Sequence, residues 1–455
     1  MTSSVLATKA TYHVLDNLTV EVDVYENPYH FQLDELFQMA TRINKKRSFL
    51  FVSKVLGKHL AVNPHIPLLI GNLLAMRYLE VVHGIQDPRA IAIAKAIQTN
   101  EQTAELLQLL RDEPIHLLKP TTFIGFAETA TALGHALFST FENNAKYIHT
   151  TREQINERPS VIYFEEEHSH ATNHRVYARD SRFFQDDSEV VLVDDEITTG
   201  KTAINIIQTI VAAYPSKKIF TVVSILDWRS IEHRQRYREL EKELGITIHA
   251  VTLLDGTISV KGQPILTEDV AEVVSDGVQE ITYLSMADYL SPEFLENVTS
   301  ICANGLQNDT PYLAVTGRFG HTIEEDHTFQ QQLQLVASVL KERRQGAKTL
   351  VIGTGEFMFV PMQIASSMGP DVYFQATTRS PIHPTDKENY TIRNKFIFDS
   401  PENAGLTNYL YNITANQYDE LFVFVERVSG KNEFDSLLNE LSKTMISHIT
   451  IVTML

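Results

Sequence analysis

Five runs in the first half of the chain are almost continuously apolar: RSFLFVSK (47–54), TTFIGFAE (121–128), AKYIHTT (145–151), EVVLVDD (189–195) and KIFTVVSILDW (218–228). Runs rich in β-branched and aromatic residues, without alternation, predict strands buried on both faces of a parallel sheet. Between them, ATALGHALFSTFENN and KTAINIIQTIVAAY carry apolar residues at helical spacing. Strands alternating with helices predict an α/β fold with its sites at the carboxyl ends of the strands. Residues 63–118 read as a mostly helical insertion after the first core strand, most simply a structural cap. Regularity fails around SPEFLENVTSICANGLQNDTP (291–311) and resumes at YLAV (312–315). The expected division is therefore one domain over 1–300 and a second over 305–455.

The length of 455 residues suits two or three domains. With 39 Lys and Arg against 57 Asp and Glu, the formal net charge of -18 argues against nucleic acid or an anionic membrane as partner. Any anion site must be local. The single Cys302 excludes an intrachain disulfide framework and any multi-cysteine metal centre. The first residues lack a basic segment followed by an apolar one, and HIPLLIGNLLAM reads as too short and polar to span a bilayer. A soluble, cytoplasmic protein is expected.

The chemistry concentrates in VVLVDDEITTGKTA (190–203), where two acids end a strand and a Thr/Gly-rich turn opens a helix. Backbone N–H groups of such a turn, aided by the helix dipole, hold a phosphate. Gly200 permits close approach, and Thr198, Thr199 and Thr202 add hydroxyls. A Walker A loop would need glycine where Asp195 stands, which weakens a triphosphatase reading. Carboxylates beside a phosphate must face something else, and the 2,3-diol of a ribose 5-phosphate unit offers it. The stretch closely resembles the 5-phosphoribosyl 1-diphosphate (PRPP) loop of the type I phosphoribosyltransferases, especially the orotate-like branch, with Lys201 departing from the usual small residue. The resemblance implies that Asp194 and Asp195 are the catalytic acids and that Glu196, Ile197, Thr198, Thr199, Gly200, Lys201 and Thr202 hold the 5-phosphate. It also implies Mg²⁺ arriving with PRPP, a base-like acceptor, release of pyrophosphate and a homodimer.

Upstream, FIGFAETATALGHAL (123–137) fits the family's pyrophosphate loop through Ala127, Glu128 and Thr129. By the same resemblance Ser53 and Lys54 of FVSKVLGKH, and Arg152 of YIHTTRE, reach the diphosphate. FEEEHSHATNHRVY (164–177) lies where the family has a flexible hood, about 153–180. Its His168, His170 and His174 read either as lid residues or as zinc ligands. Trp228, the only tryptophan, reads either as a stacking face for the base or as packing.

The C-terminal part repeats these marks in order. IGTGEFMFVPMQIA (352–365) echoes IGFAETATALGHAL, ATTRS (376–380) echoes HTTRE, and LFVFVERVSGKNEF (421–434) echoes the PRPP loop with Glu426 and Arg427 in place of the acids. AVTGRFGH (314–321) echoes FVSKVLGKH with one deletion. The TTRSP motif also resembles the TRSP domain that accompanies an orotate-like phosphoribosyltransferase in bacterial tellurium-resistance and stress gene clusters. A second, degenerate phosphoribosyltransferase-like α/β domain is expected, with Gly353, Thr354, Gly355, Glu356, Thr378, Arg379 and Ser380 as a candidate anion site. The reading is a phosphoribosyltransferase; the alternative is a non-catalytic PRPP- or nucleotide-binding regulator.

Overall fold

The structure, a computed structural model, describes residues 8–15, 17–43, 48–165, 173–264, 266, 279–387, 390–429 and 433–455. In the first of two large sheets, strands Ala145–His149, Thr121–Gly125, Glu189–Val193, Ile219–Asp227 and Thr247–Gly262 run parallel in that spatial order. The antiparallel hairpin Thr8–Val14 and Leu18–Glu26 extends it beyond the last of these. Every residue of Thr121–Gly125 and Glu189–Val193 is buried, which explains the missing alternation. Val191 and Val193 join the core that includes Leu137 of the Thr129–Phe138 helix, whereas Val190 and Leu192 join the core built on Ile206 and Ile207 of Lys201–Ala213.

One expected core strand lies elsewhere. Phe49–Ser53 pairs antiparallel with Phe37–Thr41 in a separate hairpin. Its apolar character comes from covering the end of the sheet: Phe37 and Phe51 pack on Trp228 with ring centroids 5.8 and 5.3 Å away. Helices His65–His83, Arg89–Thr99 and Thr103–Asp112 follow. His65–His83 extends the apolar run to 19 residues, long and apolar enough to cross a membrane, but most of it is buried against the rest of the protein.

The second sheet is wholly parallel: Val372–Ala376, Thr349–Gly353, Glu420–Val425, His448–Thr453 and Glu280–Ser285, in that spatial order. Its edge strand Glu280–Ser285 lies N-terminal to the expected boundary at 300–305. Tyr312–Leu313, expected within this sheet, instead pairs with Leu295–Glu296. The other four strands repeat the arrangement of the first sheet, in which the second strand in sequence lies at the edge, followed by the first, third and fourth. An antiparallel hairpin separates the second from the third strand in both lobes, Ile162–Glu165 with Asn173–Val176 and Lys395–Asp399 with Thr407–Tyr411.

Each lobe also lends the other a short extended segment. His321–Thr322 pairs antiparallel with Tyr147 and Lys146 at the edge of the first sheet, and Val62 pairs with Phe374 at the edge of the second. Reciprocal backbone bonds continue the exchange: His149 N–H donates to Gly317 O at 2.9 Å and Ala376 N–H to Gly57 O at 2.7 Å. One edge of each sheet is thereby partly covered within one chain.

Candidate functional site

At the end of Glu189–Val193 the chain leaves the core and its acids become half-buried. Asp194 N–H bonds to Val223 O at 3.0 Å, and the Asp194 carboxylate accepts the Asp195 N–H at 2.9 Å. Asp195 repeats the device on Glu196 N–H at 3.1 Å. Glu196–Ile197 then rejoins the sheet beside Leu226 and Asp227, so the acid pair forms a pinned bulge at its carboxyl edge.

Gly200, with φ +72°, is the residue before the Lys201–Ala213 helix. A β-carbon there would stand 2.6 Å from the Tyr237 hydroxyl, so both backbone and space demand glycine. Tyr237 donates to Gly200 O at 3.2 Å, and the Arg229 guanidinium lies 4.1 Å over the tyrosine ring. Arg229 is in turn held by Asp227 at 2.7 Å. The turn from Thr198 to Thr202 is thus braced from behind at a helix N-terminus, whose dipole favours an anion.

Facing the acids is the loop after Thr121–Gly125. Ala127 N–H bonds to Thr150 Oγ1 at 2.8 Å, and Thr150 Oγ1 also meets His174 Nδ1 at 2.9 Å. Glu128 has φ +68° and ψ -127°, a conformation costly for a residue with a side chain, which marks the loop as held under strain. The buried Thr129 hydroxyl at the helix start has no hydrogen-bond partner among the described residues. Arg152 Nη1 bonds Glu128 at 2.9 Å. Lys58 Nζ stands 4.0 Å from both Glu128 and Asp195. Burial works against ionisation of Glu128, but Arg152, Lys58, Arg379 and Arg42 together hold its carboxyl below the usual range. The cluster therefore draws a cation from the second lobe.

The structure brings together Asp194, Asp195, Glu128, Arg152 and the Gly200 turn. Ser53 and Lys54, expected at the diphosphate, end the Phe49–Ser53 strand and follow it: Ser53 Oγ accepts Val55 N–H at 3.2 Å, and the cation 4.0 Å from Asp195 is Lys58. Trp228 is also displaced from its candidate role as an open base platform. It is 2% exposed and stacked on Phe51. His174 points into the core, stacked on Phe164, while His168 and His170 lie outside the described residues.

The second lobe repeats the frame and fills the site. Gly355 N–H bonds to Thr377 Oγ1 at 2.9 Å, matching Ala127 and Thr150. Arg318, which follows Gly317 as Lys58 follows Gly57, reaches Glu426 at 2.8 Å and Glu356 at 3.5 Å and is 3% exposed. Glu356 also accepts from Thr151 Oγ1 at 2.6 Å across the lobe boundary. Arg427 lies flat on Tyr312 at 3.6 Å and bonds Asn308 O and Ser300 Oγ. Glu402 takes the Glu426 N–H at 2.8 Å and lies 2.8 Å from where a Gly355 β-carbon would be. Gly355 thus faces Glu402, Thr354 Oγ1 donates to Phe424 O at 2.9 Å, and Glu356 is taken up by Arg318, Thr151 and the Arg152 N–H. Thr378 is bonded through its backbone to Tyr409, and Thr378 Oγ1 accepts Ser380 N–H. The charge of Arg379 helps keep both Glu128 and Glu153 ionised.

Two family models divide the chain between them. Residues 36–257 match a phosphoribosyl transferase family, and residues 315–441 match the TRSP domain that lies C-terminal to it. The chain carries a phosphoribosyl transferase domain followed by a TRSP domain. Among solved structures, adenine phosphoribosyl transferase from Trypanosoma brucei is 21% identical with a TM-score of 0.24, over 33% of this chain and 64% of that one. The chain thus spans less than two thirds of that enzyme. Adenine phosphoribosyltransferase from Saccharomyces cerevisiae is 12% identical with a TM-score of 0.23, over 49% and 96%. Orotate phosphoribosyltransferase from Mycobacterium tuberculosis is 13% identical with a TM-score of 0.17, over 40% and 88%. Likenesses this slight carry no argument about substrate. No curated protein matches the sequence significantly. The acid pair, the Gly200 turn and the Glu128 loop all lie in the phosphoribosyl transferase domain, and Arg318, Glu356 and Glu426 in the TRSP domain.

Proposed function

We propose that the protein transfers 5-phosphoribose from PRPP to a base-like acceptor, using one site in the phosphoribosyl transferase domain while the TRSP domain holds the position a second subunit would take. The observation carrying this reading is the contrast between matched cations. Lys58 sits loosely between Glu128 and Asp195 at 4.0 Å, whereas Arg318 is locked between Glu356 and Glu426 and buried. A loosely paired lysine can turn to an incoming diphosphate; a buried, saturated arginine cannot do so without stranding carboxylates.

In this reading the 5-phosphate lies on the N–H groups and hydroxyls of Thr198 to Thr202. Asp194 and Asp195 take the ribose hydroxyls, and the diphosphate meets Lys58, Arg152 and the Thr129 hydroxyl. Mg²⁺ arrives with PRPP, and the half-buried carboxylates of Asp195 and Glu128 are oxygen donors suited to it. The bond from the anomeric carbon to the diphosphate oxygen breaks, its electron pair leaves with pyrophosphate, and an acceptor nitrogen forms the new bond and loses its proton. Asp194 and Asp195 lie where their charge favours the cationic sugar as that bond opens. Little proton transfer is demanded of the protein, so positioning supplies most of the rate.

The test is PRPP-dependent pyrophosphate release across a panel of purine and pyrimidine bases, with Asp194→Asn/Asp195→Asn as the paired variant. Release with one base, lost by a factor of at least about 10² in the variant, supports transfer. PRPP binding by calorimetry with no release for any base would support the regulator instead. Full turnover by the double variant would refute the site.

A further inference from the structure

Where the lobes exchange edges, three titratable side chains meet that the transfer reading does not use. His135 comes from the Thr129–Phe138 helix of the first lobe, His321 from the lent segment itself, and Asp326 from the Ile323–Glu342 helix of the second. All three are essentially inaccessible, at 0%, 1% and 1%. His135 Nε2 lies 2.7 Å and His321 Nε2 3.6 Å from Asp326 Oδ1, and one ligand atom from each falls within 4.8 Å of the others.

Two features are poorly explained by packing alone. Among the described residues neither ring nitrogen of His321 has a hydrogen-bond partner within 3.5 Å, and Asp326 Oδ1 stands at 3.6 Å, although the residue is buried. A buried polar group left this way costs roughly 1–3 kcal/mol. Among the described residues, Asp326 has no arginine or lysine within ion-pair reach; besides the two histidines it meets Ser139 Oγ at 3.0 Å and Gln330 Nε2 at 3.3 Å. A buried carboxylate needs a cation. Both wants are met by one ion between the three side chains.

We propose that His135, His321 and Asp326 bind a divalent transition metal of the zinc class that pins the two lobes together. Two imidazoles and a carboxylate are the donor set such ions prefer. Tetrahedral ligand atoms about 2.1 Å from zinc lie roughly 3.4 Å apart. The Asp326–His321 spacing already fits, and the Asp326–His135 spacing must open by roughly 0.7 Å. Ser139 and Gln330 hold the other carboxylate oxygen, an outer shell of the kind that orients metal ligands. A cavity of about 400 Å³ between the helices of both lobes is lined by Asp326, Ser139 and Gln330 and adjoins the cluster on the carboxylate's side. The site does not depend on the transfer reading.

The experiment uses the full chain, stripped with chelator and dialysed against Zn²⁺ or Co²⁺. Metal content is measured by mass spectrometry, Co²⁺ geometry by visible absorption, and melting with and without metal. Three proteins are compared: wild type, His321→Gln, and His168→Gln/His170→Gln. The expected result is one equivalent in wild type and in the double variant, a tetrahedral Co²⁺ spectrum, melting raised by metal, and affinity at least about tenfold weaker in His321→Gln. Failure of wild type to retain either metal overturns the proposal, as does full retention by His321→Gln or loss in the double variant. Should His321→Gln not fold, the double variant and the wild-type Co²⁺ spectrum decide, an octahedral spectrum counting against the site.

Discussion

Lys58 and Arg318 occupy matching places in the two lobes, and the same change at each should have opposite consequences. Lys58→Met removes a cation 4.0 Å from two half-buried carboxylates, one of which keeps Arg152 at 2.9 Å. Its stability cost should be about 1 kcal/mol or less. Its kinetic cost should be larger, about 10²–10³ in kcat/KM, because a charge aimed at the departing diphosphate is lost. Arg318→Met removes the guanidinium that Glu426, Glu153 and Glu356 share in the interior. Burial opposes its charge, but those three acids hold it firmly protonated. Stranding them should cost about 3–5 kcal/mol. With a urea slope of about 3 kcal/mol per M, the midpoint falls by roughly 1 to 1.7 M. Unpaired buried acids have raised pKa values in the folded state, so the deficit of Arg318→Met should grow as pH rises and shrink in acid. Urea unfolding by circular dichroism at two pH values, beside pyrophosphate release, measures both quantities. Equal midpoint losses, or wild-type kcat/KM in Lys58→Met, would refute the division into a working and a filled site.

Tyr237→Phe removes the hydroxyl that braces Gly200 O while keeping the ring under Arg229. A stability loss of about 1 kcal/mol and a raised KM for PRPP are expected, measured by melting and initial rates. Trp228→Phe, at a stacked core position, should destabilise by about 1–3 kcal/mol and leave the choice of acceptor base unchanged, which a base-panel assay checks.

The strands that bear the acids and the pyrophosphate loop were legible because their residues are buried on both faces, and that leaves an unbroken apolar run. Phe49–Ser53 gave the same signal for another reason, since Phe51 meets Trp228 while the strand pairs only with its hairpin neighbour. Burial by an aromatic cluster and burial inside a sheet look alike in sequence. The Gly200 turn was legible because glycine there answers a local demand. Lys58 was not singled out in the sequence as the partner of Asp195: its neighbour Gly57 is held by Ala376 N–H, some 320 residues away in sequence. The signal that could have found it was the pair of Gly-cation steps, Gly57-Lys58 and Gly317-Arg318, which an alignment anchored on His59 and His321 concealed.

The filled site makes a further demand on charge. Glu402, Glu426, Glu356 and Glu153 crowd around two buried arginines, Arg318 and Arg427, so carboxylates outnumber guanidiniums by two and a neutral Glu402 halves that excess. Burial, and then the neighbouring Glu426, push Glu402 up to about 8. A carboxyl whose folded pKa exceeds its unfolded one takes up a proton on folding between those values. Stability from this group therefore falls as pH rises from about 4.5 to 8. Glu402→Gln keeps an oxygen for the Glu426 N–H and removes the titration. The variant should match wild type near pH 4.5 and gain on it with rising pH, by at most about 1.4 kcal/mol per pH unit, until the gain levels above pH 8. Denaturant titrations at half-unit intervals would show this as diverging midpoints. A difference independent of pH would mean that Glu402 is ionised throughout, and that the TRSP lobe balances its buried charge in some other way.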